Sequence, residues 1–190
     1  MSLTDLLIPS YAQMLRALST WIDKAAIHAR ARGAEEDAPL AMRLAPDMYP
    51  LASQVRFACF LAQEAVHRLR GESPPGPLEE VRREGWDAAE RPGSWMDARA
   101  RIADAMSFLG DVGPGALDDA ADRPIVLELP DGVTFDMTGS QYVRDWALPQ
   151  FYFHIVAAYA ILRNHGVELG KVDFVPHMFS YSRSGPVRRD

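Results

Sequence analysis

The stretch Asp145 to Gly166, DWALPQFYFHIVAAYAILRNHG, is apolar on nearly every side, yet it holds two polar residues, Gln150 and His154, spaced four apart. Residues four apart share a helix face, so the amide and the imidazole are expected to project together into whatever this helix packs against. An imidazole in such a place can serve as a metal ligand or a general base; it can equally be a core histidine with both nitrogens satisfied. Cys59 is the only cysteine. Its position between Val55 and Ala62 makes it a small buried hydrophobe with a raised pKa rather than a nucleophile. Asp47, in the run Asp47-Met48-Tyr49-Pro50, stands ahead of a helix that it could cap, or beside the mouth of a pocket. No Gly-rich phosphate loop, CxxC pair, HExxH or GxSxG occurs.

The elements that must position these residues are mostly helices. Tyr11, Met14, Leu15, Leu18, Trp21, Ile22, Ala25 and Ala29 recur at spacings of three and four, giving one apolar stripe that Gly33 ends. Pro9 should kink the first turns or mark a later start. A second helix is predicted from about Pro50 to Arg70, closed by Gly71. Residues 71–94 are rich in proline and glycine and read as an irregular insertion with one short helix at Leu78–Arg83. Ser94 caps a third helix, which follows Trp95, Ala98, Ile102, Ala105 and Leu109. Ile125 to Met137 then alternates with period two around Pro130-Asp131-Gly132, which predicts a β-hairpin. Thr138 and Gln141 form a capping box launching the fourth helix, which runs through Pro149 to about His165. The expectation is an all-α four-helix bundle with a small β-hairpin between helices 3 and 4. It forms one domain over residues 1–190 that ends in an extended tail at 171–190.

Composition narrows the function. The 190 residues are 48% hydrophobic and 24% charged, as in an ordinary soluble protein. A net charge of -6 argues against nucleic acid, because phosphate binding needs a concentrated basic surface. Arg183, Arg188 and Arg189 make only a solvated tail. The apolar run Trp146–Leu162 is shorter than the ~20 residues of a membrane span and contains Pro149, Gln150 and His154, so no membrane association is expected. A lone cysteine and the absence of a basic leader give a cytoplasmic address.

The stretches LAPDMYPLASQVRFAC (residues 44–59) and LPQFYFHIVAAYAILRNHGVELGKVDF (residues 148–174) resemble the bacterial domain-of-unknown-function family DUF1993 of the DinB/YfiT-like superfamily. That resemblance implies the four-helix fold and a homodimer. It also implies a divalent-metal site of three histidines, one on the second helix and a pair four apart on the fourth. Carried onto this chain, His154 takes the place of the second member of the pair and Gln150 that of the first. Gln54 is the counterpart on the second helix, and His67 lies too near that helix's end to replace it. One imidazole and two neutral amides suit a divalent metal poorly. The expectation is therefore a degenerate metal site, with Gln54, Gln150, His154 and Asp47 as pocket candidates for a small polar ligand. The alternative is a metal-dependent enzyme of thiol-transferase or isomerase type, using His154 as its one remaining ligand.

Overall fold

The computed structural model describes residues 2–129 and 131–183. Helix α1 (Leu3–Ala31) begins where Ser2 accepts the Asp5 amide and runs straight through Pro9, rather than starting after it. Its start is pinned by Asp118, whose carboxylate accepts from the Ser2 hydroxyl and from both the amide and hydroxyl of Thr4. Those bonds hold the Asp118 carboxyl below its ordinary range.

Helix α2 (Leu51–Arg70) is the central rod, packing on α1 and on the three longest helices that follow it. Gly71 ends it at φ 76°, a left-handed conformation that glycine adopts without strain. Residues 71–94 depart from the sequence expectation. They contain α3 (Gly76–Asp87), twelve residues packed along α2, so the short helix expected at Leu78–Arg83 is a longer one and the insertion is less irregular. Only Leu78, Val81 and Gly85 of α3 are buried, so its apolar stripe is too thin to stand out. Ion pairs compensate, since Glu84 binds Arg101 and lies 3.5 Å from the buried Arg56.

Helix α4 (Trp95–Gly110) starts at the expected N-cap, Ser94, which exchanges bonds with Asp97 in a capping box. Strands β1 (Pro124–Glu128) and β2 (Thr134–Thr138) pair antiparallel, with Ile125 opposite Met137 and Leu127 opposite Phe135. Ile125 and Leu127 turn inward, and Gly132 sits in the connection at φ 86°. Pro130, assigned to that turn from sequence, lies outside the described residues, as do Arg188 and Arg189.

Thr138 and Gln141 satisfy each other's backbone donors and launch α5 (Gly139–Gln141). A π-helical segment (Tyr142–Ala147) follows and leads without a break into α6 (Leu148–Asn164). In it the Leu148 amide reaches back five residues to the Val143 carbonyl. A widened turn directly ahead of Pro149 relieves the clash its ring would make with the carbonyl four residues back.

Residues 171–181 also differ from expectation. Instead of an extended tail they form α7 (Lys171–Phe174) and a 3-10 segment (Pro176–Tyr181). Trp21 explains the difference: its indole N–H donates to the Asp173 carbonyl and its ring stacks on Phe174 at 5.5 Å. Among the described residues no helix is long and apolar enough to cross a membrane.

Gly85 is where α3 sets the neighbourhood of the polar pair on α2 and α6. A Cβ added there would lie 2.5 Å from the Phe57 ring. Gly85→Leu should therefore cost about 1–3 kcal/mol of stability through overpacking, read by urea unfolding. An unchanged or raised midpoint would show that α3 does not close on Phe57.

Candidate functional site

Gln54 lies in the first turn of α2 and is almost wholly buried, at 2% exposure. Its Nε2 donates to the Tyr49 carbonyl at 3.1 Å, just outside the helix. A carbonyl can only accept, so the amide's orientation is set and its Oε1 faces α6. There the Nδ1 of His154 lies 2.8 Å from Oε1. An amide oxygen can only accept in turn, which places the proton on Nδ1 and leaves the Nε2 lone pair free. Among the described residues nothing hydrogen-bonds that Nε2.

Burial disfavours the charged ring and pushes the His154 pKa down to about 4. The imidazole is therefore neutral at physiological pH. Aromatic rings surround it. Phe57 lies 5.0 Å away and tilted, Phe153 5.3 Å away and edge-on, and Tyr49 meets Phe57 at 5.4 Å. The result is an acceptor nitrogen set in an apolar, half-buried rim.

The other expected residues are placed differently. Gln150 is half-buried one turn before His154 but bonds neither His154 nor Gln54. Asp47 is exposed in the turn ahead of α2 and does not cap it, since the N-cap is Pro50 with no side-chain bond. His67 pairs with Glu72 at 2.8 Å and stacks on Phe108, at the far end of α2. Cys59 is buried and its thiol is pushed up to about 12 by desolvation, which leaves it unreactive. Sequence reasoning missed the Tyr49 carbonyl, Phe57 and Phe153. A legible signal existed for one of them, because Phe57 is three residues after Gln54 and so shares its face.

The donor set does not fit a divalent metal. Gln54 Oε1 is already engaged by the imidazole N–H, and Gln150 contributes at most a neutral amide. Among the described residues no group of three or more His, Cys, Asp or Glu side chains converges.

Residues 3–175 match the family described as domain of unknown function DUF1993. The chain belongs to this family. Among solved structures it is similar to a DinB family member protein from Shewanella denitrificans, at 30% identity and a TM-score of 0.74. That match covers 99% of this chain and 96% of the other. No curated protein matches it. The DUF1993 chain thus has the DinB-like helical fold with its small hairpin, as the two stretches quoted from the sequence imply.

The burial of His154 in this DUF1993 protein has a consequence for pH. Its folded-state pKa, about 4, lies below the ~6.5 of an unfolded histidine, so the unfolded chain takes up the proton first. The stability contributed by a neutral His154 is intact above pH ~6.5 and is lost as pH falls toward 4, by roughly 3 kcal/mol in all. In urea unfolding, the wild type should lose that much more than His154→Gln across this window. Gln54→Glu should raise the His154 titration midpoint by placing a carboxylate beside the imidazolium. Parallel pH curves for wild type and His154→Gln would contradict the assignment.

Proposed function

We propose that this DUF1993 protein is a binding member of its superfamily, a degenerate relative of the metal-dependent enzymes. It holds a small polar ligand against His154. The observation that carries this reading is the Gln54–His154 bond, which commits Nδ1 to the protein and offers Nε2 as a neutral acceptor. A ligand presenting an N–H or O–H to that nitrogen, with a flat or apolar body among Tyr49, Phe57 and Phe153, matches the rim in chemistry. Gln150, one turn away, supplies a further amide toward the same ligand. Asp47 stands too far into solvent to be a main contact.

The competing reading is a metal-dependent thiol transferase or isomerase with His154 as ligand. It would need two more imidazole or carboxylate donors beside Nε2, and the positions that could hold them carry Gln54 and Gln150. On the superfamily resemblance we further propose a homodimer, and a cytoplasmic address is in keeping with the one free, buried cysteine.

Two measurements on tag-free protein test this. Elemental analysis should find far less than one Zn, Ni, Fe or Mn per chain. Native mass spectrometry should find a co-purified small molecule that His154→Phe releases. Near-stoichiometric metal, lost on His154→Ala, would overturn the reading. As a converse check, Gln54→His combined with Gln150→His should gain zinc binding, detectable by calorimetry, that the wild type lacks.

A further inference from the structure

The turn that ends α2 orients a second imidazole. Gly71, at φ 76°, folds the chain back so that the Glu72 amide donates to the His67 carbonyl at 2.9 Å. The same turn carries the Glu72 carboxylate to the His67 ring, 2.8 Å from Nδ1. A carboxylate accepts, so Nδ1 holds the proton, and in the neutral ring Nε2 keeps its lone pair. One face of the ring stacks on Phe108 of α4 at 5.1 Å and 28°. The side chain is only 14% exposed. Among the described residues nothing hydrogen-bonds its Nε2.

His67 lines a groove of about 250 Å³ between α2, the start of α3 and α4. Leu78, Val81 and Phe108 give the groove an apolar wall, and Pro75 and Pro77 stiffen its rim. Its polar lining is Gln63, His67, Arg101 and Asp104. Gln63 stands one turn before His67 on the same face of α2, and its Nε2 donates to the Cys59 carbonyl at 3.0 Å. That leaves the amide's Oε1 as its free end. Arg101 is already engaged, its Nε and Nη2 on the two oxygens of Glu84. The Asp104 side chain is 69% exposed, and its one approach to a cation is 3.9 Å to Arg101 Nη1. Three acceptors, Gln63 Oε1, His67 Nε2 and the Asp104 carboxylate, thus look for donors beside a hydrocarbon wall.

We infer that this groove binds a primary ammonium carried on a short apolar chain or ring. An ammonium has three donors and no acceptor, which is the complement of that set. Its hydrocarbon body would lie on Leu78, Val81 and Phe108. An anion would meet lone pairs and a carboxylate, with little more than Arg101 Nη1 to bind it. The groove is separate from the His154 site, about 20 Å further along α2 than Gln54 at the helical rise.

Titration of the full chain, with nitrogen-labelled histidines, by phenethylammonium chloride tests this. The titration is run at low salt and about pH 8, above the ordinary histidine range. Binding should saturate and move the His67 Nε2 signal while leaving that of His154 in place. Phenylpropionate, an anion of similar size, should leave His67 unmoved. Asp104→Asn changes an exposed side chain and should weaken the amine about fivefold. A lysine side chain offers the same chemistry, so Nα-acetyl-lysine amide is titrated beside the free amine. Tighter binding of the free amine assigns the groove to a small molecule, and tighter binding of the lysine amide assigns it to a protein partner. Failure of both to saturate by about 20 mM would overturn the inference. So would phenylpropionate moving His67 as far as the amines do, an arm that needs no variant. Unchanged amine affinity in Asp104→Asn would also overturn it, and none of these results touches the reading of His154.

Discussion

A single hydrogen bond between two helices, from His154 on α6 to Gln54 on α2, is the constraint on which this site depends. Burying an imidazole between two helices is tolerable only if its N–H is met, since a lost partner leaves a cost of about 1–3 kcal/mol. Gln54 meets it because its own amide is fixed from behind by the Tyr49 carbonyl. The chain of dependence continues outward. Pro50 starts α2 directly after Tyr49, which puts that carbonyl within reach of the first helical turn. Phe57 packs on the ring from the same helix, and Gly85 of α3 leaves the space Phe57 occupies. The ion pairs of Glu84 with Arg56 and Arg101 then fasten α3 in place.

On the proposed reading, glutamines stand where the resemblance implies ligand histidines, a change of chemistry more than of shape. An amide oxygen carries no charge and cannot lose a proton, so two glutamines and an imidazole give a divalent cation little in return for its hydration shell. The same three side chains are well suited to a neutral, directional partner. One glutamine orients the imidazole, the imidazole offers a lone pair, and the second glutamine stands ready with both a donor and an acceptor. A site of this type selects for hydrogen-bond geometry rather than for charge.

Much of the framework was legible in the sequence because its signals are local. The stripes of α1, α2 and α4, the N-cap at Ser94, the capping box at Thr138, and the alternation of Ile125 to Leu127 each need only neighbouring residues to be understood. What was not legible depends on distant partners. Of helix α3 only the middle, Leu78–Arg83, was expected; its full length has few buried positions and is held partly by Arg56 and Arg101, which no reading of residues 71–94 alone could supply. The turn at Lys171–Phe174 is folded by Trp21, some hundred and fifty residues earlier. The spacing of Gln150 and His154 suggested that both project together, but only His154 reaches Gln54. Residues four apart still differ by about 40° around the axis, and that offset separates the imidazole that reaches Gln54 from the amide that does not.

The tautomer of His154 is the most direct measure of all this. Long-range proton–nitrogen correlation on histidine-labelled protein at neutral pH reads it without a ligand. The structure requires a protonated Nδ1 and a bare, unprotonated Nε2 on a single ring that exchanges slowly with solvent. A proton found on Nε2 instead, or a signal averaged between the two forms, would mean that Gln54 does not hold the ring and that the acceptor site does not exist as described.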